Sequence, residues 1–168
     1  MDRLWAPWRM EFIRAAKGPG CFLCEAVAAP VSEDRRNLLL LRSGPAFVIM
    51  NRFPYNNGHL MVAPTRHEGR LEALREEELA ELVRLARLSV RALSAEMRAE
   101  GFNIGLNLGR AAGAGVADHL HLHVVPRWLG DTNFMPVIAD CHVIPQALDE
   151  LYGRLAPVFE RLRTERPT

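Results

Sequence analysis

The sequence predicts an α+β domain, an antiparallel sheet of about five strands with one long helix and a C-terminal helix packed on it. Three observations carry this. Short apolar runs between residues 38 and 63 are punctuated by Gly, Pro and Asn. Apolar residues then recur at spacings of three and four from about Glu68 to Glu100. Finally, the stretch Asp118-His-Leu-His-Leu-His-Val-Val-Pro-Arg127 alternates polar with aliphatic side chains. A chain of 168 residues suits one domain with a real core, so 1–168 is read as a single domain. It has an N-terminal arm of about residues 1–20 and a helical extension over about 146–165.

Taken in order, the arm carries Trp5, Pro7, Trp8, Met10 and Phe12, apolar but too broken by proline for a long helix. Cys21 to Ala28 suits one or two helical turns, and Pro30 to Asn37 reads as a polar loop. Leu38–Arg42 and Ala46–Arg52, separated by Ser43-Gly44-Pro45, predict a hairpin. The turn Asn56-Asn57-Gly58 leads into a strand over His59–Ala63, which Pro64 ends. Leu71, Leu74, Leu79, Leu82, Val83, Ala86, Val90, Leu93 and Met97 mark the long helix, with acidic residues early and arginines late, the order the helix dipole prefers. Leu85 and Leu88 widen its apolar stripe, as a broad core face or a subunit contact would. Gly101 is read as the helix stop and Phe102–Leu108 as the next strand. A Gly/Ala-rich loop over Gly109–Ala117 delivers the chain to the histidine stretch. Trp128 to Met135 is turn-rich, and Leu148, Leu151, Leu155 and Phe159 return to a helical period that Pro157 interrupts.

Composition excludes several functions. A formal net charge of +1 with 24% charged residues provides no field for nucleic acid or membrane binding. Among the 21 basic residues only Lys17 is a lysine, which removes the lysine of a Walker loop or a Schiff-base enzyme. A phosphate grip must come from histidine, arginine, asparagine or backbone amides. No apolar run approaches membrane-spanning length and the N-terminus lacks a signal-peptide layout, so the expected location is cytoplasmic. Three cysteines do not make a disulfide scaffold. Cys141 reads as an inert core thiol, and Cys21 with Cys24 as a metal or redox pair.

On a strand, His119, His121 and His123 share one face and Leu120, Leu122 and Val124 the other. The aliphatic face is a core face and the imidazole face a site. An imidazole near pKa 6.5 is largely neutral at pH 7, so a free ring nitrogen can attack phosphorus or a carbonyl without a separate base. Three neighbouring imidazoles can divide the labour among nucleophile, oxyanion binder, proton donor and metal ligand.

Here the chain closely resembles the histidine-triad (HIT) family, whose alternating histidines are matched at His119, His121 and His123. Asn51-Arg-Phe-Pro-Tyr-Asn-Asn-Gly-His59 and Val62-Ala-Pro-Thr-Arg-His67 resemble that family's first hairpin, and Asn107 to Arg127 its active-site segment. Leu4-Trp-Ala-Pro-Trp-Arg9, Cys21-Phe-Leu-Cys24 and Trp128 to Phe134 are similar to bacterial members likened to diadenosine tetraphosphate phosphorylases. The resemblance implies a HIT-like fold and a homodimer whose two sheets join. It implies a purine nucleotide or dinucleoside polyphosphate substrate, with inorganic phosphate as a co-substrate in the phosphorylase case. It makes His121 the nucleophile on the α-phosphorus, with a nucleotidyl-histidine intermediate, and sets His123 and His59 on phosphate oxygens or the leaving group. Asn51 falls near the ribose and Asn107 near the phosphates. For His59, Asn51 and Asn107 the plain alternative is turn or strand-end hydrogen bonding. Many members carry Gly-Gln and then Ser or Thr before the triad, whereas this chain has Gly113-Ala-Gly-Val-Ala-Asp118. Asp118 shapes the leaving-group side or bonds the loop.

The expected activity is therefore nucleotidyl transfer or hydrolysis on dinucleoside polyphosphates. The alternatives are a phosphoramidate or dinucleoside polyphosphate hydrolase and, from another class, a non-catalytic zinc-stabilised nucleotide-binding protein. Cys21 and Cys24 supply half a tetrahedral zinc site. The resemblance completes it with His67 and His119, a structural zinc that holds His119 as a ligand. The alternative is a reduced thiol pair packed under the arm.

Overall fold

A computed structural model of the chain describes residues 20–131 and 147–165. In order these form α1 (Phe22–Ala28), a 3-10 turn (Val31–Glu33), α2 (Asp34–Asn37), β1 (Leu39–Ser43), β2 (Ala46–Met50) and β3 (Leu60–Pro64). A second 3-10 turn (Leu71–Ala73), α3 (Glu76–Met97), β4 (Gly101–Leu106), a third 3-10 turn (Arg110–Ala112), β5 (Leu122–Arg127) and α4 (Leu148–Thr164) follow. The five strands lie in the order β1-β2-β3-β5-β4 and every pair is antiparallel. The arm up to residue 19, Cys141, the Trp128 segment from Thr132 onward and Gln146 lie outside the described residues.

The first hairpin turns on Gly44-Pro45, with Gly44 at φ 58°, the positive φ a primed turn needs at its first central position. Thr65 clips this turn, its N–H donating to the Pro45 carbonyl and its hydroxyl to that of Gly44, both at 2.8 Å. The strand begins at Leu39 because Leu38 is left-handed, φ 60°, and closes α2. The expected loop over Pro30–Asn37 is instead a 3-10 turn followed by one helical turn. A register shift between Leu39 and Leu41 lets Leu40 and Leu41 both join the helix-side core.

Directly paired residues share a sheet face, so the register Phe47↔Ala63, Ile49↔Met61 and Met61↔His123 sorts the two sides. One face, with Leu60, Val62 and Val124, packs under α3 and α4 around Leu85, Leu93, Leu155 and Phe159. The other, with Leu39, Phe47, Ile49, Met61 and Ala63, is covered by Leu23 and Ala26 of α1. Phe47 and Phe159 are fully buried, each worth about 2–3 kcal/mol of apolar transfer.

The long helix starts at Glu76, later than its period suggests, because a tertiary contact sets its beginning. The Glu78 carboxylate accepts the Arg75 N–H at 2.8 Å and a two-pronged bond from Arg66 at 3.0 and 2.9 Å. Arg98 ends the helix in a left-handed cap, φ 52°, so Gly101 is the first residue of β4 rather than the stop. Val83 is 67% exposed and off the core face, whereas Leu85 and Leu88 are buried, since α3 packs on α4 as well as on the sheet. Helix α4 runs unbroken through Pro157.

Candidate functional site

The sheet ladder of β5 begins only at Leu122, yet the alternation holds from His119 onward: Leu120 and Val124 lie in the helix-side core, and all three histidines are buried on the other face. His59, at the start of β3, joins them. Ring centroids of His59 and His123 are 5.0 Å apart, and those of His121 and His123 4.9 Å.

Backbone groups fix which nitrogen of each ring carries the proton. The Tyr55 N–H donates to His59 Nδ1 at 3.0 Å, with the Asn51 carboxamide nitrogen also 3.3 Å from it. His59 is therefore protonated on Nε2, which donates to His123 Nδ1 at 2.9 Å. His123 in turn carries its proton on Nε2, which lies 3.3 Å from Asn107 Nδ2; with that tautomer the carboxamide must flip to offer its oxygen to the Nε2–H. His121 donates from Nδ1 to the His119 carbonyl at 2.9 Å, leaving its Nε2 lone pair free. His119 donates from Nε2 to the Pro64 carbonyl at 2.8 Å, leaving Nδ1 as an acceptor or ligand.

Burial holds His59, His119 and His121 neutral. His59 is pushed down to about 3, by burial first and then by the neighbouring His123 and His121. Burial likewise lowers His121 and His119, partly opposed by their bonds to the His119 and Pro64 carbonyls. A neutral histidine whose folded pKa lies below its ordinary 6.5 leaves the unfolded chain binding a proton the folded chain refuses. The stability this gives His59 is complete above pH 6.5 and declines as pH falls toward 3, by about 1.4 kcal/mol per pH unit at most. The melting temperature is expected to be flat from pH 7 to 8 and to fall steadily below pH 6. A midpoint constant down to pH 4.5 would contradict the neutral buried His59.

The second group is Cys21, Cys24, His67 and His119, whose ligand atoms all lie within 4.8 Å of one another. His119 Nδ1 is 3.3 Å from both sulfurs and from His67 Nδ1, and Cys24 Sγ is 3.2 Å from His67 Nδ1. Ligands of a tetrahedral zinc, at about 2.3 Å for sulfur and about 2.0–2.1 Å for nitrogen, stand about 3.4–3.6 Å apart across N–N and N–S pairs. The donor set therefore fits such an ion in type, number and spacing, and the His119–Pro64 bond is the outer contact that orients a ligating imidazole. Burial, followed by the hydrogen bond and charge of Cys21, pushes the Cys24 thiol up to about 11, so a metal would have to displace that proton.

Helix α1 links the two groups. Cys21 and Cys24 face the cluster, while Phe22, Ala26 and Ala29 line a slot of about 680 Å³ with Ile49, Asn51 and Phe53. Its C-terminus is held by Arg42, which donates to the carbonyls of Val27, Ala26 and Ala29 and pairs with Asp34.

All the sequence-derived candidates except Asp118 thus fall into these two groups. Asn51 is turned on His59, and its Oδ1 accepts the Phe53 N–H at 2.9 Å, the turn role weighed as its alternative. Asp118 is exposed, and its carboxylate bonds no described residue. Sequence reasoning missed Tyr55, whose ring lies 4.6 Å from His59, and it missed Arg42 and the Arg66–Glu78 pair. Only the Asn51–His59 resemblance included Tyr55, without assigning it a role.

The HIT domain model matches residues 34–128. The AP-4-A phosphorylase of Mycobacterium tuberculosis is 40% identical over 167 residues, which cover 96% of this chain and 86% of that protein. A zinc-bound histidine triad family protein from Mycobacterium smegmatis superposes with a TM-score of 0.68 at 26% identity, covering 86% of this chain and 96% of that one. A hypothetical histidine triad nucleotide-binding protein from Sulfolobus tokodaii gives 0.65 at 25% identity, over 85% and 94%.

Proposed function

The chain belongs to the HIT family, and from that premise we propose that it is a nucleotidyltransferase acting on dinucleoside polyphosphates through a nucleotidyl-His121 intermediate. The observation that carries this is the free Nε2 of a neutral His121 whose other nitrogen is tied to the His119 carbonyl. His121 Nε2 forms a bond to the α-phosphorus as the bridging P–O bond breaks. His123, carrying its proton on Nε2 through the His59 relay, hydrogen-bonds the phosphate oxygens or the departing oxygen. Asn107, whose carboxamide lies beside that nitrogen, steadies the Nε2–H with its oxygen turned toward it. The apolar slot beside Asn51 takes the nucleoside, its walls suited to a purine face.

With phosphate as acceptor, diadenosine tetraphosphate gives ATP and then ADP; with water it gives ATP and AMP. The similarity to a phosphorylase over nearly the whole chain supports phosphate. The test is incubation with diadenosine tetraphosphate with and without inorganic phosphate, followed by chromatography of the nucleotides. ADP that appears only with phosphate is the expected result. AMP in both tubes would make the protein a hydrolase, and no product in either would remove the reading.

The Cys21, Cys24, His67 and His119 cluster holds a structural zinc, supported by its geometry and by the zinc-bound relative. With four protein donors it closes its coordination shell, and its part is to anchor α1 and the entry to β5. The active form is a homodimer joined through β4. Among the described residues that strand pairs only with β5, and Asn103, Ile104 and Gly105 along it are exposed, whereas β1 at the other end of the sheet is in contact with α1, α2 and α4. Sedimentation at the mass of one chain, 18.9 kDa, would remove the dimer. Among the described residues no helix is long and apolar enough to cross a membrane.

A further inference from the structure

A cleft of about 600 Å³ opens beside the entry to the histidine strand, where His67, Gly69 and Arg70 face Gly109, Arg110 and Asp118. One wall is locked to that strand. A Cβ on Gly69 would collide with the Ala117 carbonyl, and the Leu120 N–H donates to the Glu68 carbonyl at 2.8 Å. The opposite wall is the 3-10 turn Arg110–Ala112, held between Gly109 at φ 77° and Gly113 at φ 84°. Arg110 lies three residues beyond Asn107, which reaches His123.

Most charges of the cleft are already committed. Glu68 bonds Arg70 and Arg66, and Arg66 also bonds Glu78. Among the charged residues lining it, Arg110 and Asp118 alone have side chains that make no hydrogen bond or ion pair to a described residue. The loop between Arg110 and the triad offers only Ala, Gly and Val side chains before Asp118. A phosphate chain extending past the atom attacked by His121 must meet cationic or amide donors, and no lysine exists among the described residues to supply one.

We propose that Arg110 is the clamp for the phosphates beyond the scissile one and makes the chain selective for polyphosphate leaving groups over small ones. This rests on the nucleotidyl-transfer reading above. Asp118, on the same cleft, acts with the opposite sign: its carboxylate repels phosphate that carries no cation, which keeps the cleft weak for short anions.

The test is calorimetric titration of the whole protein with AMP and with ATP in magnesium-free buffer, for the wild type, Arg110→Ala and Asp118→Asn. AMP probes the slot and the first phosphate, and ATP adds the two beyond it. The expected wild type prefers ATP. Arg110→Ala lowers that preference about tenfold, the size of one lost charged hydrogen bond, with AMP affinity unchanged, and Asp118→Asn raises it. An unchanged preference in Arg110→Ala overturns the proposal alone. So does a parallel loss of AMP and ATP affinity, which would mean a general effect on the site or the fold. Failure of the wild type to bind AMP strikes the nucleotidyl-transfer reading and takes this proposal with it.

Discussion

Replacing His121 by alanine is expected to lower kcat at least about a thousandfold on any nucleotidyl substrate, with nucleotide binding retained. The size follows from the role. A group that forms the covalent intermediate has no understudy, whereas a group that only binds or orients leaves much of the rate behind. Of the four clustered imidazoles, His119 has Nε2 on the Pro64 carbonyl and Nδ1 among the thiols, and His59 has Nδ1 under the Tyr55 N–H and Nε2 on His123. His123 accepts on Nδ1 and so carries its proton on the nitrogen that faces Asn107. Only His121 keeps an unprotonated nitrogen with no protein partner among the described residues. Quenching the wild type in mid-reaction with labelled substrate should leave label on the protein, and His121→Ala should carry none. His123→Ala should lose less. Equal losses in the two variants, or label persisting in His121→Ala, would move the nucleophile elsewhere.

The alternation of His119, His121 and His123 with Leu120, Leu122 and Val124 was legible because side-chain direction depends on local backbone extension, which survives even where the ladder with β3 and β4 has not begun. The long helix was legible in kind but not at its ends. Its start depends on Arg66, twelve residues away from Glu78, and its stop on a left-handed Arg98, a conformation that sequence assigns to the nearby glycine. Tyr55 and the His59–His123 bond were out of reach for the same reason. The contact spans 64 residues, and its donor to His59 is a backbone N–H that every residue possesses. The grouping of Cys21 and Cys24 with His67 and His119 came from resemblance. Spacing alone supplied the thiol pair, and only the fold carries His119 to it from 95 residues away. Asp118 adjoins the triad in sequence, and because it precedes the strand it lines the cleft beside the strand's entry rather than joining the imidazole cluster.

Removing the metal that Cys21, Cys24, His67 and His119 are suited to hold is expected to lower the melting temperature by roughly 6–12 °C, about 3 kcal/mol for a domain of this size. The loss exceeds that of a surface site because the ligands join separate parts of the fold. Cys21 and Cys24 belong to α1 and its cap, His67 follows β3, and His119 precedes β5. Without the ion, two thiols and two imidazoles remain in a half-buried cluster held by weak sulfur–nitrogen contacts alone. Elemental analysis should find about one zinc per chain. Cys24→Ser should lose the metal and show the same fall in melting temperature, with no further fall on adding chelator, since chelation and substitution remove one and the same interaction. The catalytic effect should be indirect. The His119 carbonyl holds the Nδ1–H of His121, and α1 walls the slot proposed for the nucleoside, so the chelated protein should lose nucleotide affinity and kcat together. Full stability and a metal-free composition in freshly purified protein would instead leave Cys21 and Cys24 as a reduced thiol pair. The anchoring of α1 would then fall to Arg42 and to Leu23 and Ala26 in the core beneath it.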